Sequence, residues 1–194
     1  MARRTDTRDK MVSTAATLFQ RQGMAATGWR QIVAESGTPW GSQSHHFPGG
    51  KEELAVAALT RAGADYERLV RHAFGRQHPA DAVRTWVDVA GGVLEATGWT
   101  DGCPVATVAL ERAHDGGPIG ETCRSVLASW RDAIAVGLVE AGADTEQSAR
   151  VATLVLASIE GALLLARTER DRRPLVDVGE QLAAMLEATL PRKE

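Results

Sequence analysis

Residues 27–51 combine small, hydrogen-bonding and basic side chains in a pattern that suits contact with DNA. Two short helices joined across Gly37 are what a helix-turn-helix needs. Gly41 and Ser42 allow close approach to a sugar-phosphate backbone, and Gln43 can make a bidentate contact with adenine in the major groove. Further residues here are of types that contact phosphates: Thr27, Thr38, Ser44, His46 and Lys51.

Other chemistries have weaker support. The run Glu111-Arg112-Ala113-His114 is a Glu-x-x-His turn, but a di-iron bundle needs a second copy and two further Glu residues. Cys103 and Cys123 are too few for a disulfide framework and are expected to be buried and inert, a redox switch being the alternative. No Gly-x-Ser-x-Gly elbow marks a nucleophile. We therefore predict no catalytic residues, no metal and no cofactor.

Large side chains in the second part of the chain could line an apolar pocket for a small molecule. Core packing is the favoured interpretation of each one alone, but as a group they are the best candidates for effector binding. The set is Trp86, Trp99, Cys103, His114, Trp130 and Met185.

The charge is divided unevenly along the 194 residues, whose net charge is −3. Residues 1–76 carry 11 Lys and Arg against 7 Asp and Glu, a net of +4, and residues 77–194 carry 11 against 18, a net of −7. The basic part suits a nucleic-acid partner, which the total charge conceals. No signal peptide or 18-residue uncharged apolar stretch is apparent, so we expect a cytoplasmic protein without membrane contact.

Hydrophobic periodicity predicts an all-α fold of about nine helices. The first spans roughly 8–22 after Thr7 as N-cap, the second runs from Thr27 to Gly37, the third begins with Thr38 as cap and Pro39 in its first turn, and the fourth opens at Lys51. The others are predicted at about 79–97, 104–114, 119–141, 145–168 and 175–190.

Ten or so positions in order resemble the DNA-binding domain of TetR-family transcriptional regulators. They are Gly23, Thr27, Ile32-Val33, Gly37, Gly41-Ser42, His46-Phe47 and Lys51-Glu52-Glu53-Leu54. The run Phe47-Pro48-Gly49-Gly50-Lys51-Glu52 further resembles the LmrA/YxaF-like branch. The resemblance implies a helix-turn-helix domain over 1–50, a connecting helix four over 51–76, and a ligand-binding and dimerisation bundle over 77–194.

The resemblance also implies a function. A homodimer, joined through helices at about 145–168 and 175–190, would bind a palindromic double-stranded DNA operator and be released by a small, largely apolar effector. Carried over by position, Arg30 would contact a base or phosphate, and Pro39, Trp40, Ser42 and Gln43 would lie at the groove. Trp40 replaces a residue that is commonly basic in the family, and Ser44 replaces a common Tyr. The alternatives are a helical enzyme or metal protein without DNA binding, and a helical interaction module.

Overall fold

The structure is a computed structural model that describes residues 2–112, 114 and 116–190. The described part contains nine α-helices and no strands, which confirms the predicted all-α fold. In chain order they are α1 (Ala2–Gln22), α2 (Trp29–Ser36), α3 (Ser42–His46), α4 (Gly50–Arg76), α5 (Pro79–Ala96), α6 (Pro104–Arg112), α7 (Pro118–Glu140), α8 (Thr145–Glu169) and α9 (Arg173–Thr189).

Local sequence explains most helix ends. Gly37 ends α2 in the left-handed region at φ 62°, where a side chain would be strained. The Asp144 carboxylate caps α8 by accepting from the Glu146 and Gln147 N–H groups at 2.9 and 3.0 Å. Thr7 was predicted as the N-cap of the first helix, and this is wrong because α1 already begins at Ala2.

The third helix is shorter than predicted. It was expected to start at Thr38 and Pro39 but begins at Ser42 and has five residues. Gly41 at φ 97° interrupts the helical backbone, and the Ser42 N–H closes a turn onto the Pro39 carbonyl at 3.1 Å. The Thr38 hydroxyl does not cap this helix, because it hydrogen-bonds to Ser36 Oγ at 2.7 Å.

Contacts group the chain into two compact units. Unit 1 comprises Met1–Ala64 and Cys103–Leu127. In it α1 packs against α2 and α6, and α4 meets α7 so closely at Gly63 that an added Cβ would lie 2.5 Å from the Val126 side chain. The unit's largest fully buried side chains are Met11, Leu18, Phe19, Ile32, Phe47, Leu54, Leu59 and Ile119.

Unit 2 comprises Asp65–Gly102 and Ala128–Glu194, and α5 packs in it against α8 and α9. The helices again approach at glycine: a Cβ on Gly179 would lie 2.6 Å from Val87, and one on Gly137 would lie 2.5 Å from Phe74 Cβ. Helical spacing in the sequence predicts one apolar stripe on α4, formed by Leu54, Ala58, Ala62, Tyr66, Leu69 and Ala73. The prediction is wrong at Leu69, which is 63% exposed, while Val70 and Phe74 are buried instead.

Helix α8 is long and apolar enough, by length and composition alone, to cross a membrane. A third of its most apolar stretch, 33%, is buried within the chain. Buried helices of globular proteins pass the same test.

Candidate nucleic-acid interface

A small apolar base holds the turn between α2 and α3. Ile32 is fully buried and Val33 is 8% exposed, so α2 presents its other face outward. Phe47, directly after α3, is also buried, and its ring lies 6.2 Å from that of Trp29. Trp29 is therefore a packing residue that anchors α2 to the end of α3.

Around this base, several predicted DNA-binding residues are exposed. The Arg30 side chain lies on the surface, without a hydrogen bond or ion pair to the described residues. Trp40 is 60% exposed, which is unusual for so large an apolar side chain. Pro39, Gly41 and Ser44 are exposed as well, whereas Ser42, Gln43, His46 and Lys51 are half-buried.

Gln43 is held by its own turn. Its Oε1 accepts a hydrogen bond from the Gly41 N–H at 2.6 Å. The side-chain amide nitrogen has no comparable partner among the described residues. A bidentate contact to adenine needs both amide atoms, so binding in that mode must exchange the Gly41 bond for one to the base.

Two predicted phosphate-binding hydroxyls lie inside the chain. Thr27 is fully buried, and its hydroxyl donates to the Gly23 carbonyl at 2.6 Å. Thr38 is 9% exposed and bonded to Ser36. In this conformation Thr27 presents no surface to a phosphate, and both residues support the turn geometry around them.

Lys51, in the first turn of α4, also reaches inward. Its Nζ donates to the Thr27 carbonyl at 2.7 Å and so ties α4 to the start of α2. Burial lowers the pKa of the Lys51 ammonium, the Glu111 carboxylate raises it, and Arg112 lowers it further. Two charged residues of α6 therefore act on the Lys51 ammonium with opposite signs.

Glu111 was considered as a metal ligand from sequence, and the structure gives it a different contact. Its Oε2 accepts hydrogen bonds from the Met24 and Ala25 N–H groups at 2.9 and 3.1 Å, in the turn between α1 and α2. No group of three metal-ligating side chains occurs among the described residues. No local sequence signal links Glu111 to this turn, because the partners are more than 80 positions apart.

A second set of side chains forms an aromatic cluster in unit 2. The Tyr66 ring lies 5.6 Å from that of Trp86 and 4.7 Å from that of Trp130, and Trp86 lies 6.4 Å from Phe74. Trp86 Nε1 donates to the Tyr66 hydroxyl. We call these four residues the aromatic cluster. The sequence predicts Trp86 and Trp130 as effector-pocket residues but does not indicate Tyr66 or Phe74 for that pocket.

The aromatic cluster does not include the other predicted effector residues. Trp99 is half-buried just after α5, in the left-handed region at φ 67°, and Met185 is half-buried in α9. Neither contributes an aromatic contact to the cluster. Cys103 and His114 belong to unit 1, where Cys103 is half-buried and His114 is exposed. The structure therefore groups two of the six predicted residues directly.

An open cleft of about 490 Å³ adjoins the cluster within unit 2. It lies where α4 passes to α5, beside the end of α7, and it contains none of the six predicted effector residues. Phe74 is its link to the cluster, and its charged lining consists of Arg76, His78, Asp81 and Glu140.

Both cysteines are free. The expectation that both are buried is wrong for Cys103, which is half-buried. Cys123 is 1% exposed, and burial raises the pKa of its thiol, which fits the predicted inert role. The Cys103 Sγ accepts a hydrogen bond from the Ala106 N–H at 3.4 Å.

Comparison with known proteins covers nearly the whole chain. Residues 12–58 match the family "Bacterial regulatory proteins, tetR family", and residues 79–181 match "Transcriptional regulator LmrA/YxaF-like, C-terminal domain". The HTH-type transcriptional regulator YxaF of Bacillus subtilis, itself described as uncharacterized, is 37% identical over 187 residues, which are 96% of this chain and 98% of that one. LmrA of the same organism is 32% identical over 93% of this chain and 97% of its own.

Solved structures agree with this assignment. A TetR transcriptional regulator from Chloroflexus aurantiacus has a TM-score of 0.77 at 28% identity and covers 98% of each chain. A regulatory protein TetR from Rhodobacter sphaeroides shares the fold, with a TM-score of 0.81 at 21% identity over 91% of this chain and 96% of that one. The matched families and relatives are transcriptional regulators and not enzymes. With its helix-turn-helix and its LmrA/YxaF-like second part, the chain belongs to the TetR family of DNA-binding transcriptional regulators.

Proposed function

We propose that this regulator is a repressor that binds a palindromic DNA operator as a homodimer and leaves it when a small, largely apolar effector binds. One observation carries the DNA-binding part of the proposal. The helix-turn-helix buries Ile32, Val33 and Phe47 and leaves Arg30 and Trp40 exposed, so its outer face is available to the major groove. The division into a DNA-binding domain (1–50), a connecting helix (51–76) and a regulatory domain (77–194) belongs to this proposal.

Within the interface we assign two kinds of role. Arg30, Pro39, Trp40, Gly41, Ser42, Gln43, Ser44 and His46 contact the DNA. Thr27 and Thr38, being buried, position the turns, and Lys51 combines its bond to Thr27 with a phosphate contact made when DNA is present.

Salt dependence of operator binding tests this function. Fluorescence anisotropy with the promoter DNA next to this regulator's own gene should show specific binding that weakens by about 10³–10⁵ between roughly 50 and 200 mM salt, if six to ten phosphates are neutralised. Scrambled DNA of equal length is the control. Equal affinity for both DNAs would overturn the proposal.

The dimer is proposed to form through α8 and α9. Several large apolar side chains on these helices are exposed in the protomer: Leu154, Leu164, Leu165 and Val176. Gly161 on α8 is exposed, and an added Cβ there would meet nothing within 4 Å. Such a face is typical of a helix that packs against a second copy, and this pairing would also cover the apolar surface of α8.

Sedimentation of two matched variants tests the dimer. Gly161→Leu should shift the equilibrium toward monomer because it enlarges a side chain at the proposed interface. Gly92→Leu on α5, also without a neighbour within 4 Å, should leave the dimer unchanged. A dimer that is equally stable in both variants would contradict the assignment to α8.

The effector site is proposed to include Trp86 and Trp130 of the aromatic cluster, with Trp99 and Met185 of unit 2 as further contacts. Cys103 and His114 belong to unit 1, and their effector role stays a separate prediction. Aromatic faces with the Tyr66 hydroxyl among them suit an apolar ligand that carries one polar group. Apolar compounds that release the promoter DNA would identify the ligand class, and Trp86→Ala should reduce that release. Unchanged release would refute the assignment. As a regulator of bacterial transcription, the protein is proposed to act in the cytoplasm.

A further inference from the structure

A long-range polar contact of unit 1 joins Glu111 to the turn after α1, and the predicted interface does not use it. One carboxylate oxygen accepts two successive backbone N–H groups, those of Met24 and Ala25. Hydrogen bonds to an ionised acceptor are stronger than neutral ones. The bonds join α6 to a turn that leads directly into α2.

Gly23 makes the close approach possible. Its φ of 80° lies in the left-handed region, where it ends α1, and a Cβ at this position would lie 2.0 Å from Glu111 Oε1. A larger residue would therefore push the carboxylate away from the Met24 and Ala25 N–H groups, in addition to the strain of its own backbone. The glycine and the glutamate form one matched contact.

From this turn, further hydrogen bonds lead to the DNA-binding surface. The Thr27 hydroxyl donates to the Gly23 carbonyl, and the Thr27 backbone N–H donates to the Met24 carbonyl at 3.2 Å. Lys51 Nζ donates to the Thr27 carbonyl. The position of the turn thus sets both the start of α2 and the direction of the Lys51 side chain.

We propose that Glu111 is a positioning residue for DNA binding: by holding the turn at Met24 and Ala25, it sets α2 and Lys51 in the arrangement that docks on the operator. It does not touch the DNA itself. The inference rests on the proposed operator binding.

Removal of the Glu111 carboxylate tests the proposal, because a pure charge effect and a positioning effect would change the DNA affinity in opposite directions. Loss of a negative charge by itself strengthens binding to a polyanion. Loss of the positioning contact weakens it. Glu111→Ala should therefore bind promoter DNA about tenfold more weakly, a change equivalent to about 1.4 kcal/mol, and Glu111→Gln should lose less because one amide oxygen can still accept.

Two controls separate charge and helix effects. Glu35→Gln removes a negative charge from α2 but keeps an acceptor for its Gln31 partner, so it should bind DNA as well as the wild type or better. Leu110→Ala changes the neighbouring α6 residue, which is 84% exposed, and should leave affinity unchanged. Equal affinities of Glu111→Ala and wild type would overturn the proposal.

A double-mutant cycle tests the contact without DNA. Gly23→Ala should lower the melting temperature through both backbone strain and collision with Glu111. In Gly23→Ala/Glu111→Ala the collision is gone, so the double variant should be more stable than the sum of the single losses predicts. Gly37→Ala, which has positive φ but no neighbour within 4 Å, should add independently to Glu111→Ala.

Amide hydrogen exchange completes the test in variants that remain folded. The Met24 and Ala25 amides should lose protection in Glu111→Ala, while amides in the middle of α1 keep it. Strict additivity of the cycle together with unchanged protection would refute the contact. A wild-type protein that binds no promoter DNA would instead refute the proposed function, and these two DNA-free measurements would still report on the contact.

Discussion

The region 27–51 and the aromatic cluster differ in how their residues are brought together. In the first, α2, the turn and α3 follow one another, and most contacts join residues a few positions apart. In the second, Tyr66, Phe74, Trp86 and Trp130 come from three helices, α4, α5 and α7. The region 27–51 can therefore be predicted from spacing in the sequence. The aromatic cluster cannot, because it forms only when the helices pack together.

The same comparison separates two uses of tryptophan. Trp40 is 60% exposed beside α3, whereas Trp130 is 1% exposed in unit 2. An exposed tryptophan contributes little to folding, since its surface stays in water in both states. We therefore expect Trp40 to contribute to DNA binding and Trp130 to contribute to the stability of the fold.

The largest effect is expected from the pair of tryptophan variants. Trp130→Ala should lower the free energy of unfolding by about 3–5 kcal/mol because it leaves a cavity in the cluster. Trp40→Ala should change it by no more than about 0.5 kcal/mol while weakening promoter binding. Urea unfolding and anisotropy measure the two quantities, and similar stability losses would remove the contrast between the regions.

A smaller effect is expected where helices approach at glycine in unit 2. Gly137→Ala places a Cβ 2.5 Å from Phe74 Cβ, so repacking should cost about 1–3 kcal/mol. Gly92→Ala, in a helix interior with open space around it, should stabilise by up to about 1 kcal/mol. The expected signs are opposite, and thermal melting of both variants checks them.

Within the DNA-binding region, we expect Gln43 to affect which base sequence is preferred and Lys51 to affect the affinity for every sequence. Gln43→Ala should reduce discrimination at one base pair by roughly 1–3 kcal/mol. Lys51→Ala should weaken all sequences about equally and lower the salt slope by about one. Binding to a panel of single-base operator variants measures both, and identical profiles would refute the division of roles.

The smallest effect is expected at Arg84, which joins α5 to α9 on the surface. Its guanidinium pairs with Asp81, Glu180 and Glu187, and the hydrogen bonds to Glu187 and Glu180 raise its pKa. Exposed ion pairs are screened by salt. Arg84→Ala should shift the melting temperature slightly at low salt and not at 1 M salt, and a shift that persists at 1 M would show a packing role instead.

The sequence predicts helix positions and buried faces correctly where they depend on local apolar spacing or on a nearby glycine or proline. Helical spacing in the sequence predicts that six residues share one face of α7, and all six are buried: Ile119, Cys123, Val126, Trp130, Ile134 and Leu138. The start of α3 was wrong because Pro39 and Thr38 favour a helix that the left-handed Gly41 forbids. The predicted burial of Leu69 was wrong because Val70 and Phe74 are the buried residues on this part of α4. Helical spacing alone does not show which neighbouring helix a long helix contacts.

The helices, the helix-turn-helix and the family can be predicted from the sequence alone, because helix propensity, left-handed glycines at turns and apolar spacing act over a few residues. Three features depend on the packing of distant segments: Thr27 is buried, Tyr66 contacts two tryptophans, and Glu111 accepts hydrogen bonds from the turn after α1. These contacts connect residues far apart in the chain. Their formation depends on how whole helices pack, a property that no short stretch of sequence contains.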